Sequence, residues 1–204
     1  MFRDRVHAGH ELAGALRGYS GAPDTLVLAL PRGGVVVAAG VARALGLPLD
    51  VVVTRKIGAP GNPEYAVAAI DADGAVVPGD LGGASDEYIR SQVAVERDEI
   101  ARRLRTYRGD RPPLEIEGRT VILVDDGIAT GLTVRAAVRY LRAHNAGRIV
   151  VAVPVAPQDT ADRLRLEADE VVTLAEPSGF YAVGQFYSEF GQTTDDEVIS
   201  LLRD

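Results

Sequence analysis

Two adjacent aspartates, Asp125 and Asp126, end an apolar run, and a turn rich in threonine and glycine follows them. The segment VILVDDGIATGLT spans 121–133 and leads through Thr130 and Gly131 into a predicted helix. Unpaired backbone N–H groups at a helix N-terminus favour an anion, and glycine lets the backbone approach it closely. Carboxylates suit paired hydroxyls and can approach a metal ion through water. The spacing therefore predicts a phosphate site with a sugar lying against the two acids.

Two further segments combine positive charge with a flexible backbone. LPRGGVVVAA (30–39) is a turn between a predicted strand and a predicted helix, and RKIGAPGNPE (55–64) has the glycine, proline and asparagine content of a long irregular loop. Of the 22 basic residues, a single one is lysine, and it lies in the second segment. The candidate anion contacts in these segments are Arg32, Gly33, Gly34, Arg55 and Lys56.

The C-terminal segment FYAVGQFYSEFGQTTDDEV (180–198) is rich in aromatic residues. Aromatic rings can stack on a flat heterocyclic base, and they can also simply pack a small subdomain. Phe186 and Tyr187 are the candidates for stacking.

The elements that must position these residues alternate between apolar strands and helices. Strands are predicted at 25–30, 49–54, 65–70, 75–77, 120–125, 148–155 and 170–175, and helices at 33–45, 85–107, 130–144, 158–166 and 194–203, with a further helix near the N-terminus. Fully apolar strands alternating with helices predict an α/β fold, with a Rossmann-like parallel sheet covered by helices on both faces. Ligands bind at the carboxyl ends of such strands, which are the loops after Leu30, Thr54 and Val124.

Composition excludes several classes of protein and of site. The 204 residues carry a formal net charge of −7, so the chain has no general attraction to nucleic acid or to anionic membranes. No cysteine is present, which excludes disulfides, thiolate metal sites and cysteine nucleophiles. No apolar stretch is long enough to cross a bilayer, and the first residues do not resemble a secretory signal. We therefore expect a cytoplasmic protein.

The segment 121–133, together with the other two loops, resembles the type I phosphoribosyltransferases, which use phosphoribosyl pyrophosphate (PRPP). The resemblance spans nearly the whole chain. It implies that Asp125 and Asp126 hold the ribose 2′ and 3′ hydroxyls and approach Mg²⁺ through water, while residues 129–133 hold the 5′-phosphate. These phosphate contacts are Ala129, Thr130, Gly131, Leu132 and Thr133. Leu132 replaces a residue that is usually small in the family.

By the same resemblance, Arg32, Gly33 and Gly34 bind pyrophosphate, and 55–64 is a mobile lid that brings Arg55 and Lys56 onto it. The core is expected at 1–175, with an insertion at 55–117. Residues 176–204 form a small C-terminal hood followed by the last helix. The expected reaction transfers the phosphoribosyl group from PRPP to a nitrogenous acceptor, a nucleobase, and releases pyrophosphate. The family also implies Mg²⁺ as cofactor and a homodimer.

The acceptor and the general base stay open at the level of sequence. Ala129 stands where 6-oxopurine enzymes usually carry an aspartate, which makes hypoxanthine or guanine a poorer fit. Glu64 is a hypothetical general base.

Two alternatives to the transferase are carried forward. Some proteins with this fold bind PRPP as a signal and regulate transcription without catalysis, but the acidic composition favours an enzyme. The sequence YAVAAIDADGA (65–75) also resembles the nucleophile motif of haloacid dehalogenase-like phosphatases, with Asp71 and Asp73 as the acids. A turn between two strands explains the same residues, because aspartate and glycine favour turns.

Overall fold

The computed structural model describes residues 1–80 and 83–203, without the side chain of Glu64. The strands are β1 (Thr25–Ala29), β2 (Leu49–Val51), β3 (Arg55–Ala59), β4 (Asn62–Ile70), β5 (Val76–Pro78), β6 (Thr120–Val124), β7 (Arg148–Val155) and β8 (Glu170–Ala175). The helices are α1 (Arg5–Ala15), α2 (Gly33–Leu45), α3 (Asp86–Arg108), α4 (Leu132–Ala143), α5 (Gln158–Leu164) and α6 (Asp195–Leu201). A short 3-10 helix also spans Val183–Phe186.

The central sheet has five strands in the order β2-β1-β6-β7-β8, and every neighbouring pair is parallel. Helices cover both faces: α1, α2 and α6 pack on one side, and α4 and α5 on the other. This arrangement confirms the predicted fold class. It brings the carboxyl ends of β1, β2 and β6 to one edge, where the candidate residues lie.

Burial on both faces explains why the strands are apolar throughout. In β1, Leu26 and Leu28 face the α4 and α5 side, whereas Val27 and Ala29 face the α1 and α2 side. All five residues of β1 are buried. Polar residues at alternate positions would have no access to solvent, since helices exclude water from both faces.

The segment 55–64 is not the irregular loop that its composition predicts. Residues Arg55–Ala59 form β3, which pairs antiparallel with β4 in a second sheet of order β3-β4-β5. Gly61 has φ +75° at the tight turn between them, and the register shifts around Gly58. Buried Ile57 anchors the hairpin in the core. The glycines and prolines thus serve a turn and a bulge rather than a loop.

The C-terminal segment and the N-terminus meet on one side of the central sheet. We use the term hood for residues 176–191. Phe2 and Tyr187 form a parallel bridge, with Phe2 N donating to Phe186 O at 2.7 Å and Ser188 N donating to Phe2 O at 2.9 Å. α6 packs instead against α2 and α3, burying Val198 and Leu202 in the main core. The first residues of the chain are therefore joined to the hood.

Across the residues that the structure describes, no helix is both long enough and apolar enough to cross a membrane. The longest helix, α3, carries charged residues along its whole length.

Candidate active site

The two adjacent acids lie directly after β6, at the carboxyl edge of the central sheet. Both side chains are partly buried, and Asp126 N donates to Asp125 Oδ1 at 2.8 Å. Burial raises the pKa of Asp125, and the neighbouring charge of Asp126 raises it further. Burial also raises the pKa of Asp126, but the Arg5 guanidinium opposes that shift. The site thus concentrates negative charge where desolvation makes it costly.

Arg5 is a member of the site that sequence analysis does not identify. Its Nε donates to Asp126 Oδ2 at 2.7 Å, and its Nη1 donates to Gly191 O at 2.7 Å. The guanidinium carbon lies 3.9 Å from the centre of the Phe190 ring. Arginine at the start of α1 carries no local signal, because its partner is 121 residues away.

The first loop packs against the acids. A Cβ added to Gly33 would overlap Asp126 Oδ2, and one added to Gly34 would lie 2.9 Å from Asp125 Oδ1. The peptide bond from Pro31 to Arg32 is cis. The structure therefore brings together the Arg-Gly-Gly turn and the two acids, as expected from strands β1 and β6 being neighbours.

Arg32 lies at the same edge but is not directed at the acids. Its guanidinium lies 3.7 Å from Asp195 Oδ1, at the start of α6. Tyr107 of α3 donates to the same oxygen at 2.6 Å. Arg32 therefore sits between the first loop and the C-terminal helix, with a side chain that is 37% exposed.

The turn after the acids enters α4 at Gly131, whose φ of +78° favours glycine. Thr160 fixes the turn from the neighbouring segment by donating from Oγ1 to Ala129 O at 3.0 Å. Thr54 donates to Thr133 O at 3.1 Å. Ala129 and Thr130 are exposed, so the turn presents its backbone to solvent.

Leu132 is directed away from this turn, into the second sheet. It is 6% exposed and packs with Ala69 and Val77 of the second sheet and Ala136 of α4. Its Cδ1 is 2.8 Å from where a Cβ on Gly79 would lie. The larger residue therefore joins α4 to the second sheet instead of crowding the anion site.

A large cavity of about 1130 Å³ borders the turn. Ala129, Thr130 and Leu132 form part of its wall. Arg135 of α4 also lines the cavity. The other walls come from the second sheet, the segment around α5 and the hood, and they include Lys56, Tyr65, Thr160, Arg163, Phe180 and Tyr181. The cavity is wide enough to admit a ligand well beyond the turn itself.

Arg55 and Lys56 point in different directions because neighbours in a strand face opposite sides. Lys56 lines the cavity, whereas Arg55 donates from Nε to Glu96 Oε2 of α3 at 2.7 Å. The expectation that both residues meet the same anion is not supported by this placement. Glu64, the hypothetical base, has a side chain outside the described residues.

The aromatic residues of the hood divide into two groups. Tyr187 is 6% exposed, packs on Phe2 with ring centres 5.5 Å apart, and donates from its hydroxyl to Asp126 O at 2.5 Å. Phe186 packs against Phe180 at 5.2 Å. Phe180 and Tyr181 line the cavity, and Tyr181 is 94% exposed. The placement of Tyr187 makes it a support for Asp126, while Phe180 and Tyr181 face the cavity.

The phosphatase alternative is contradicted by the position of its acids. Asp71 is 3% exposed and its Oδ1 accepts from Asp73 N and Ala75 N at 3.0 and 2.9 Å. It therefore stabilises the turn between β4 and β5, in the antiparallel sheet. Asp73 pairs with His144 at 2.9 Å on the surface. A buried acid whose oxygen already accepts two backbone N–H groups is a poor nucleophile.

The donors at the acid pair fit a magnesium ion held through water. Within the described part of the chain, no three His, Cys, Asp or Glu side chains converge into a metal cage. The two partly buried carboxylates instead have raised pKa values, and only Asp126 is paired with the guanidinium of Arg5. Mg²⁺ is usually bound by one or two carboxylates together with water and substrate phosphates, so Asp125 and Asp126 suit it.

Comparison with known proteins agrees with this geometry. The family model described as "Phosphoribosyl transferase domain" matches residues 4–189. A Mycobacterium tuberculosis (strain ATCC 25618 / H37Rv) protein named "Putative phosphoribosyl transferase Rv0571c" is 47% identical over 206 residues, covering 99% of this chain and 46% of its own length. The chain thus spans about half the length of the curated relatives it matches.

Two further relatives cover different shares of the chain. The "Bifunctional protein PyrR" of Ralstonia nicotianae (strain ATCC BAA-1114 / GMI1000) is 34% identical over 140 residues, which are 60% of this chain and 78% of that protein. The crystal structure of TT1426 from Thermus thermophilus is 47% identical, covers 98% of this chain and 97% of its own, and has a TM-score of 0.82. With the family model matching most of its length, this chain belongs to the phosphoribosyl transferase domain family.

Proposed function

We propose that this protein binds PRPP and transfers its phosphoribosyl group to a nitrogenous acceptor, releasing pyrophosphate. The observation that carries the proposal is the contact between two loops. Asp125 and Asp126 lie against Gly33 and Gly34, and the turn at Thr130 opens onto the cavity from the same edge. In this proposal one bound molecule places its sugar at the acids, its 5′-phosphate at the turn and its pyrophosphate at the first loop.

Each part of PRPP has a matching group. Asp125 and Asp126 accept hydrogen bonds from the ribose 2′ and 3′ hydroxyls. The backbone of 129–133 and the hydroxyl of Thr130 donate to the 5′-phosphate at the start of α4, where the helix dipole favours an anion. Gly131 is buried and left-handed, so its amide can turn toward the phosphate without a side chain in the way.

The reaction breaks the bond between ribose C1 and a pyrophosphate oxygen, and the electron pair leaves with that oxygen. Positive charge builds on the ribose ring, as in glycoside hydrolysis, and negative charge builds on pyrophosphate. Arg32, with the amides of Gly33 and Gly34, and Lys56 from the cavity wall stabilise the leaving group. Mg²⁺, when bound, supplies further positive charge there, with Asp125 and Asp126 on its water shell.

The acceptor nitrogen attacks C1 from the side opposite pyrophosphate, forms the new bond and releases its proton to water. A nucleobase is the acceptor that we propose, since the cavity offers flat aromatic faces at Tyr65, Phe180 and Tyr181. This replaces the predicted stacking on Tyr187, which is buried against Phe2, whereas the predicted stacking on Phe186 would act through its neighbour Phe180. The proposal is supported by the family to which the chain belongs and by the relatives named as phosphoribosyl transferases.

The decisive experiment is a calorimetric titration with PRPP, with and without Mg²⁺. We expect Mg²⁺-dependent binding by the wild-type chain. In Asp125→Asn the affinity should fall about 10-fold or more, a loss of ~1.4 kcal/mol. This variant should still fold, because a neutral amide at Asp125 removes the repulsion from Asp126. The double variant with Asp126→Asn should lose binding altogether.

Asp73→Asn is the matched control, since Asp73 is an exposed acid distant from the proposed site and paired with His144. Its affinity for PRPP should equal that of the wild type. Absence of PRPP binding by the wild-type chain, with or without Mg²⁺, would overturn the proposal.

Turnover is measured separately, as pyrophosphate release in the presence of a panel of nucleobases. Release that depends on one acceptor supports the transferase and names its substrate. Tight PRPP binding without release under any acceptor supports the alternative of a PRPP-binding regulator. The same preparations, measured by light scattering, test the predicted homodimer.

A further inference from the structure

Arg5 makes three contacts with two distant parts of the chain, the acid pair and the hood. It donates to Asp126 Oδ2 in the acid pair and to Gly191 O at the end of the hood, both at 2.7 Å. Its guanidinium carbon lies 3.9 Å above the ring of Phe190. The side chain is only 13% exposed and that of Asp126 only 14%. A buried guanidinium placed in this way is held rigidly, because its planar fork uses separate nitrogens for separate acceptors.

The contact also determines which oxygen of Asp126 can meet a ligand. Oδ2 lies between Arg5 Nε and the Cα side of Gly33, where a Cβ would overlap it. A ribose hydroxyl that binds Asp126 must therefore donate to Oδ1. The backbone of the same residue is held by Tyr187, whose hydroxyl donates to Asp126 O at 2.5 Å. Asp126 is thus fixed through its side chain by the N-terminal segment and through its carbonyl by the hood.

We propose that Arg5 is a positioning residue for the sugar-binding acids. It orients Asp126 toward the ribose hydroxyls and joins the hood to that orientation through Gly191 and Phe190. This inference rests on the proposed function, since it takes PRPP as the ligand. It adds a residue at the N-terminus and a physical connection between the hood and the sugar site.

The opposite role is a competitor, in which Arg5 occupies Asp126 and must leave before the sugar binds. The two roles predict opposite changes when Arg5 is removed. A positioning residue improves PRPP binding, so its loss weakens affinity. A competitor lowers PRPP affinity, so its loss makes binding tighter.

The experiment compares two ligands in the same variants. PRPP carries the 5′-phosphate, the ribose hydroxyls and the pyrophosphate, whereas inorganic phosphate lacks the sugar and the pyrophosphate. Calorimetry gives the Kd of PRPP, and competition against PRPP gives the inhibition constant of inorganic phosphate. The ratio of the two constants reports the contribution of the ribose and pyrophosphate contacts together, beyond that of a single phosphate. A purely structural role for Arg5 would weaken both ligands together and leave this ratio unchanged.

In Arg5→Met we expect the PRPP Kd to rise about 10-fold or more, as for the loss of one partner of a buried charge pair. The constant for inorganic phosphate should stay within about twofold, because its site at 129–133 is separate from the Arg5 contacts. Arg5→Lys keeps the charge but reaches fewer acceptors, so it should recover part of the affinity. It also keeps the proposal testable where Arg5→Met does not fold.

Arg3→Met is the matched control from the same segment. Arg3 is 68% exposed and pairs with Asp4 at 2.9 Å, so its loss should change neither constant. Unchanged or tighter PRPP binding in both Arg5 variants would overturn the positioning role. An equal loss of affinity for both ligands would also overturn it. The wild-type chain is titrated with PRPP before any variant is made. Absence of binding at that point would contradict the proposed function and not the role of Arg5.

Discussion

Gly33 lies so close to the acid pair that it has no room for a side chain. A Cβ there would overlap Asp126 Oδ2 and lie 2.8 Å from Arg5 Nε. The carboxylate cannot simply swing aside, because Arg5 and Tyr187 hold the residue from two sides. Gly33→Ala should therefore displace Asp126, destabilise the chain by about 1–3 kcal/mol and weaken PRPP binding.

Denaturant unfolding and PRPP titration test this prediction together. Gly14→Ala is the control, since Gly14 lies in α1 with nothing within 4 Å of the added Cβ. That change should stabilise the helix by up to ~1 kcal/mol and leave binding as it is. Wild-type stability and affinity in Gly33→Ala would contradict the close approach of the first loop to the acids.

At the scale of residues, the sequence predicts those contacts that form between residues close together along the chain. Asp125, Asp126 and the turn at Gly131 form one continuous segment, so their proximity follows from their order along the chain. Arg5 contacts Asp126 only when α1 is folded against the sheet and the hood. The residues next to Arg5 in the sequence give no indication of this contact. The placement of Tyr187 likewise depends on Phe2, which lies at the other end of the chain.

At the scale of elements, α6 is joined to α3 by a partly buried hydrogen bond. Tyr107 is 4% exposed and donates to Asp195 Oδ1 at 2.6 Å. Burial, as the larger cause, and the hydrogen bond to Asp195 together raise the pKa of Tyr107 to about 12 from its ordinary value of 10.0. Below pH 10 both folded and unfolded chains keep this proton, so the contribution to stability is complete. Between pH 10 and about 12 only the unfolded chain releases it, and stability falls by about 1.4 kcal/mol per pH unit.

Tyr107→Phe removes this titration. We expect the variant to be about 1 kcal/mol less stable than the wild type at pH 8, because it lacks the hydrogen bond. The difference should shrink as the pH rises above 10 and reverse sign before about pH 12, and denaturant unfolding at several pH values measures it. Tyr181→Phe is the control for loss of an exposed hydroxyl and should follow the wild type throughout. A difference between Tyr107→Phe and wild type that is independent of pH would contradict the assignment.

The sequence predicts the elements well where burial is periodic and poorly where glycine and proline are frequent. α2 and β7 have the bounds that the pattern predicts, since an apolar helix face and a fully buried strand are each distinctive. Composition predicts a loop at 55–64, where the chain forms the hairpin of β3 and β4. Its glycines satisfy a turn and a bulge, and only pairing with β4 shows that Ile57 is a core residue.

For the whole molecule, the N-terminus and the hood are expected to open as one unit. Ser188 N donates to Phe2 O and Glu189 N to Arg3 O, at 2.9 and 2.8 Å, so the two ends share their hydrogen bonds. Phe2 is 9% exposed and packs on Tyr187. Phe2→Ala should lower the free energy of opening this unit by about 3 kcal/mol. Hydrogen exchange at the amides of Ser188 and Glu189 should therefore become faster.

Amides of the central sheet provide the internal reference for that exchange. Leu123 and Val151 are buried in paired strands, and their exchange should stay at the wild-type rate because the sheet has its own core. Val6→Ala, at a residue that is 49% exposed, is the control for shortening a side chain in the same N-terminal region. If Phe2→Ala accelerated the sheet amides as much as those of the hood, the hood and N-terminus would not be a separate cooperative unit. If the hydrogen-bonded amides that join the N-terminus to the hood accelerate and the sheet amides do not, the unit that holds Asp126 can open while β6, which directly precedes the acids, stays folded.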